Sequence, residues 1–326
     1  MDIAEPRQLS IDSLDGPHRD ILERAISRVL ATDVAEHTFA QIIDGLPTSR
    51  VAKEEASGLP HGHPLRYTHT ELCAGIREKT QDLWNQFSMS DINLDAQLLF
   101  AYRAASPGSR AFNTRLIELA AVAIHKLAVK LFQRDDSLHK EDGIADWAPP
   151  RTDELYWRWN PDGPLPTLFV HEWYRDCEQY PDGIADVVGY WAESRIFGGV
   201  VLFDRHESKD GTSSDDIYIH PSRESLTYRI CQLLPGQKQA LLAFLAKPES
   251  QPNPLPILVD MNNGKRIDPE EPIEETRVYR DIWERKYDPD SHGEGRLRTV
   301  WDRKDYPTWD DKMDALCRAK ARQRGG

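Results

Sequence analysis

The chain has 326 residues with 41 Lys+Arg against 54 Asp+Glu, a net charge of −13, 39% hydrophobic and 29% charged residues. That is the composition of a folded globular protein rather than a disordered one. The acidic balance argues against nucleic acid as a partner, because phosphate-backbone binding needs a positive footprint.

The first residues lack the apolar core of a secretory signal, and no run approaches the length of a membrane span, so a cytoplasmic protein with no membrane partner is expected. Cys73, Cys177, Cys231 and Cys317 are far apart and never form a CxxC pair. This predicts reduced cysteines and excludes a thiolate-type metal knuckle.

Residues 1–17 are polar and read as a loose arm. From Pro17, Ile21, Ala25, Ile26, Val29 and Leu30 recur at helical spacing, and a second helix is expected over Asp33–Leu46. Pro, Gly and Ser then break the period up to Pro64, as in a surface loop. His61, His63 and His69 lie in or beside that loop; without a fourth ligand in the pattern they are expected to be solvated, and no metal is assigned to them. Helices are predicted over Thr70–Phe87 and Leu94–Ala104. The clearest is Arg115–Gln133, apolar most of the way round its first half and therefore expected in the core, with His125 as a core or boundary histidine. The polar stretch Asp135–Pro150 ends in a double proline and divides a helical region, 1–148, from a second region, 149–326, within what is expected to be one integrated globule.

Beyond the boundary, eleven of the 29 aromatic residues fall between Tyr156 and Phe203. A short strand is expected at Thr167–Val170. A helix is expected over Asp182–Arg195, capped by Asp182 and ended by Gly198-Gly199, with a strand over Gly199–Arg205 after it. A polar hairpin loop at 206–215 leads to strands over Ile217–His220 and Leu226–Leu233. Pro235 opens a helix running to Pro248. After the apolar run at Ile257–Met261, helix returns weakly near Glu274–Lys286, and the tail from Asp288 is charged. The fold class is therefore α+β: a mostly helical N-terminal half packed on a small antiparallel sheet with flanking helices.

No GxSxG elbow, phosphate loop or HExxH helix is present, and Gly198-Gly199 precedes a strand where a dinucleotide turn would follow one. No cofactor is expected. The strongest positive signal is Asp182, Asp186, Tyr190 and Glu193, which share one helix face. Carboxylates four residues apart suit acid–base chemistry or a Mg²⁺ pair at Asp182/Asp186; they suit equally a cap and a solvated face. Alternation places Tyr218 and His220 on one face of a strand, and Thr227 and Arg229 on one face of the next. That polar face lines a cleft or is a wet sheet surface.

The runs YPDGIADVVGYWAESRIFGGVVLFDR and IYIHPSRESLTYRICQLLPGQKQALLAFL resemble a family of conserved proteins of filamentous fungi, over roughly residues 150–247. The resemblance implies a fungal intracellular protein, of a kind that sometimes accompanies natural-product pathways, and it implies no catalytic residue. From the residues themselves the expected function is an enzyme acting on a hydrophobic small molecule by cyclisation, isomerisation or hydration. Asp186, Glu193 and His220 are its candidate catalysts, and Trp173, Tyr174, Tyr190, Trp191, Tyr218 and Arg229 would contact substrate. The alternative is a non-catalytic interaction module.

Overall fold

The structure is a computed structural model that describes residues 7–54, 59–140, 142–206, 214–222, 227–249, 251–260, 262–267, 269, 271–285 and seven positions within 308–317. The expected loop at 206–215 and the charged tail fall largely outside these residues.

The N-terminal region opens with strand β1 (Gln8–Ser10), part of the segment expected to be a loose arm. Helix α1 (Gly16–Leu30) has Pro17 in its first turn and buries Leu22, Ala25, Ile26 and Val29. Thr32 caps α2 (Asp33–Asp44) by accepting from the Ala35 N–H, and Gly45, at φ +104°, ends it. The short α3 (Ser49–Glu54) leads into the Pro/Gly loop. The helix expected from Thr70 begins only at Ile76: α4 (Ile76–Gln86) follows Gly75, whose φ of +82° breaks the helical path. Residues 70–75 are loop, and they carry Cys73. Strand β2 (Asn93–Asp95) pairs antiparallel with β1. Asp95 caps α5 (Ala96–Ala104), and Ser109 caps α6 (Arg110–Gln133).

In the second region, α7 (Glu154–Trp159) is brief and Thr167–Val170 forms no strand. Helix α8 (Ile184–Phe197) packs on α6, the most extensive contact between any two elements. A five-stranded antiparallel sheet has the order β6-β5-β4-β3-β7, from β3 (Val200–Asp204), β4 (Ile217–His220), β5 (Ile230–Gln232), β6 (Arg266–Ile267) and β7 (Val278–Tyr279). Helix α9 (Pro235–Ala246) packs on α1, and the four-residue α10 (Ile273–Thr276) precedes β7. The α+β class is thus present, with helices of both regions around one sheet.

The main apolar cluster draws on both regions, joining Ile11, Leu22, Leu116 and Leu119 to Trp191, Phe203, Ile219 and Leu241. Both faces of the sheet are covered. Val201, Phe203, Ile217 and Ile219 face that core, while Val200, Leu202, Tyr218 and Ile230 meet Tyr174, Tyr180 and Tyr190. The polar sheet face expected to be wet or to line a cleft is therefore packed under the 170–180 loop. Gly198 and Gly199 allow this closeness: a Cβ at Gly198 would lie 2.1 Å from the Ile257 carbonyl oxygen, and one at Gly199 would lie 2.1 Å from Ile219 Cγ2. Among the described residues no helix is long and apolar enough to cross a membrane. No disulfide joins the cysteines.

Candidate functional site

Asp186, Tyr190 and Glu193 do share one face of α8, and that face turns to α6. His125 Nε2 donates to Asp186 Oδ1 at 2.9 Å, and its Nδ1 lies 3.6 Å from Glu193 Oε2. The imidazole fits because position 189 is glycine, where a Cβ would come within 2.5 Å of His125 Nε2. Tyr190 meets the same ring edge-on at 4.6 Å.

Each carboxylate has further partners. Asp186 Oδ2 accepts from the Asp182 N–H at 2.8 Å, and Lys126 Nζ lies 2.6 Å from Asp182 and 3.4 Å from Asp186. Asp182 is therefore bound to lysine and makes no side-chain cap on α8, and a lysine ammonium stands between the two carboxylates. Glu193 accepts from the Val201 N–H at 2.7 Å and from Arg280 Nη1 at 2.6 Å, all of it buried. Burial works to raise Asp186, but the His125 hydrogen bond, the charges of His125 and Lys126 and the Asp182 N–H outweigh it and hold the carboxyl at about 2. Burial likewise raises Glu193, and Arg280 and His125 outweigh it, leaving the carboxyl below its ordinary range. These groups stay ionised and partnered, a network that fixes α6, α8 and the 280s segment together.

His220 belongs to a second cluster. Its Nε2 faces the Tyr228 carbonyl at 3.0 Å and so donates, which leaves Nδ1 to accept from the Tyr174 hydroxyl at 3.1 Å. His171 repeats the pattern: Nε2 donates to the His220 carbonyl at 3.0 Å and Nδ1 accepts from the Trp173 N–H. Both rings are fully buried. Burial pushes His171 down to about 4 and His220 well below its ordinary value. His220 is thus a neutral clamp with both nitrogens occupied, not the titratable group of a cleft. The physical reason is that the 171–174 loop folds over β4 and supplies the partners that water would otherwise supply.

The two clusters touch through Tyr174, which stacks on Tyr190 with ring centroids 4.5 Å apart. Of the expected substrate contacts, Tyr174, Tyr190, Trp191, Tyr218 and Arg229 are buried in the packed interior. Trp191 packs against Phe169, and Arg229 Nη2 donates to the Tyr228 hydroxyl.

Trp173 differs. It lines a cleft of about 400 Å³ with Leu165, Glu172, Arg175, Asp176 and Arg285. Arg285 is buried; its Nη2 donates to the Val278 carbonyl at 2.7 Å, while Nε and Nη1 have no hydrogen-bond partner among the described residues. The Trp173 Nε1–H is buried without a partner as well. Arg285 was missed because it sits in a charged C-terminal stretch with no periodicity to place it.

The histidine-rich loop also departs from expectation. His61 is exposed, but His63 is buried and accepts from the Leu65 N–H, and the His69 ring is only 3% exposed. His69 meets Asp44, Cys73 and His139, with candidate ligand atoms all within 4.8 Å of one another. Neither family models, curated proteins nor solved structures yield a match to this chain, so its sites rest on their own geometry.

Proposed function

We propose that the protein binds a small organic anion in the Trp173 cleft, with an apolar part of the ligand against the indole and its acidic group on Arg285. The observation that carries this reading is Arg285, which lines the open cleft; its Nε and Nη1 lie beneath the cleft surface without a hydrogen-bond partner among the described residues, and its Nη2 is 3.6 Å from Glu284, so the side chain has to turn outward to meet an acid. A buried donor left without an acceptor costs about 1–3 kcal/mol, more when charged, and a carboxylate or phosphate relieves that cost. The Trp173 Nε1–H, also buried and without a hydrogen-bond partner among the described residues, lies beneath the same wall. Charged walls make the ligand amphipathic rather than wholly hydrophobic. Binding is what the cleft supports; His220 packs behind Trp173, and Asp186 and Glu193 are not among the residues that line the cleft.

The reading is tested by titrating small aromatic and aliphatic carboxylic acids, each beside its matched amide, against the full chain while following tryptophan fluorescence. Acids should bind where amides do not. Arg285→Gln should weaken that binding by roughly 10-fold or more, the worth of one charge-assisted hydrogen bond. Trp173→Phe, which keeps an aromatic ring and loses the N–H, should weaken it less. Equal binding of acids and amides, or no loss in Arg285→Gln, defeats the assignment.

A further inference from the structure

A different set of residues, remote from the cleft in sequence, meets beneath the loop after α3. Asp44 is the last residue of α2, His69 and Cys73 lie in the loop before α4, and His139 follows α6. Backbone hydrogen bonds assemble them. The Leu138 and His139 N–H groups donate to the Asp44 carbonyl at 3.1 and 3.3 Å, and the Cys73 N–H donates to Asp44 Oδ2 at 2.9 Å. Gly45 permits the approach, since a Cβ there would lie 2.7 Å from Ser137 Oγ. His69 itself has φ +49°, a left-handed conformation unusual for a side-chain-bearing residue and held where the surroundings over-determine it.

The outward nitrogens fix both rings. His69 Nδ1 faces the Pro47 carbonyl at 3.0 Å and His139 Nδ1 faces Asp142 Oδ2 at 2.6 Å, so each Nδ1 carries the proton. The neutral rings then present Nε2 lone pairs inward. His69 Nε2 lies 2.9 Å from Asp44 Oδ2; His139 Nε2 lies 3.2 Å from Cys73 Sγ and 3.8 Å from Asp44 Oδ1. At His69 and Asp44 an acceptor thus faces an acceptor, while the Cys73 thiol can donate to His139 Nε2. A second proton on His69 would pair it with Oδ2 alone. Asp44 Oδ1, on a side chain with no exposure, would still lack the hydrogen-bond partner it lacks among the described residues.

A cation at the centre would resolve the His69–Asp44 contact and give Asp44 Oδ1 a partner at once. We propose that Asp44, His69, Cys73 and His139 are the four ligands of a zinc ion. Tetrahedral zinc with bonds of about 2.0–2.3 Å sets its ligand atoms roughly 3.3–3.8 Å apart; here the contacts named run from 2.9 to 3.8 Å within a group no wider than 4.8 Å, so binding needs shifts of about an ångström or less. A thiolate with two imidazoles selects zinc over magnesium or calcium, which favour oxygen. The thiolate and carboxylate together neutralise the ion, so the half-buried site carries no net charge. The Nδ1 partners, a carboxylate on His139 and a backbone carbonyl on His69, are the outer-shell supports typical of zinc-bound histidines. Four protein ligands leave no open position, which makes the ion structural. It would tie α2, the loop before α4 and the loop after α6, where regular structure is sparse.

The test is metal content and spectroscopy on the full chain. After equilibration with Zn²⁺ and removal of excess, mass spectrometry should find about one zinc per chain, the stoichiometry of a single closed site. Chelation should lower the melting temperature. Cobalt substitution should give tetrahedral d–d bands and a thiolate charge-transfer band, the latter lost in Cys73→Ser. Asp142→Asn, which leaves every ligand in place, should weaken zinc binding roughly 10–100-fold, the usual cost of removing an outer-shell partner. Wild-type chain that retains no zinc overturns the proposal. So does equal zinc content in the Cys73→Ser/His139→Ala double variant, or a cobalt complex without the thiolate band.

Discussion

Gly189→Ala is the substitution whose sign separates two accounts of the α6–α8 contact. In an exposed or loosely packed helix, replacing an interior glycine with alanine stabilises by about 0.8–1 kcal/mol. Here the new methyl would sit 2.5 Å from His125 Nε2 and 2.7 Å from the ring carbons flanking it, with α6 packed behind the ring. Overpacking of this kind costs typically 1–3 kcal/mol. The ring can yield only by leaving Asp186 Oδ1, and losing a charge-assisted hydrogen bond costs about 1.5–3 kcal/mol. Setting the propensity gain against these gives a net destabilisation of roughly 1.5–5 kcal/mol. Urea unfolding followed by circular dichroism should show a lower midpoint at unchanged slope. A midpoint that stays or rises would mean that His125 does not occupy the α8 notch, and the network built around it would go with it.

Two further outcomes bear on the fold. Leu119 is fully buried in the middle of α6, so Leu119→Ala should cost about 2–5 kcal/mol; a loss no larger than that of a surface substitution would place α6 at the periphery. Burial, as the largest effect, lowers both His171 and His220, so the folded state disfavours their protonation. Their contribution is therefore full above the ordinary value of about 6.5 and is lost as pH falls. With His171 at about 4, its share approaches about 3 kcal/mol by pH 4. Urea midpoints should fall between pH 7 and 4.5, and less steeply in His171→Asn; a flat or rising trend contradicts the buried neutral pair.

What was legible in the sequence was periodicity. Helices α1, α2, α6 and α9 and strands β3 and β4 follow from apolar spacing with Pro or Gly punctuation, and the common face of Asp186, Tyr190 and Glu193 follows from helical geometry. What that face meets was not legible. Helix α8 is apolar almost all round, so its carboxylates read as a solvated side or a pocket, whereas His125 and Arg280, 61 and 87 residues away from them, cover them and supply their hydrogen bonds. His125 and Gly189 together were the available signal: a histidine inside an apolar helix needs a partner and a space. Alternation in β4 misled for a related reason, because it reports two unlike faces and not which of them a loop will cover. The two-residue strands β6 and β7 have no period to read. The Asp44, His69, Cys73 and His139 group escaped because its members come from a helix end and two loops, so no short motif contains more than two of them.

His220 is a neutral clamp beneath the cleft and not its acid–base group. Nitrogen-15 NMR of the histidine side chains across about pH 5–8, the range in which an ordinary histidine titrates, measures this directly. The His220 signals should stay those of the neutral ring with the proton on Nε2 throughout, donating to Tyr228 and accepting from Tyr174. A titration of His220 with a midpoint near 6.5–7, about the value of a solvated imidazole, would contradict it and return His220 to the list of catalysts.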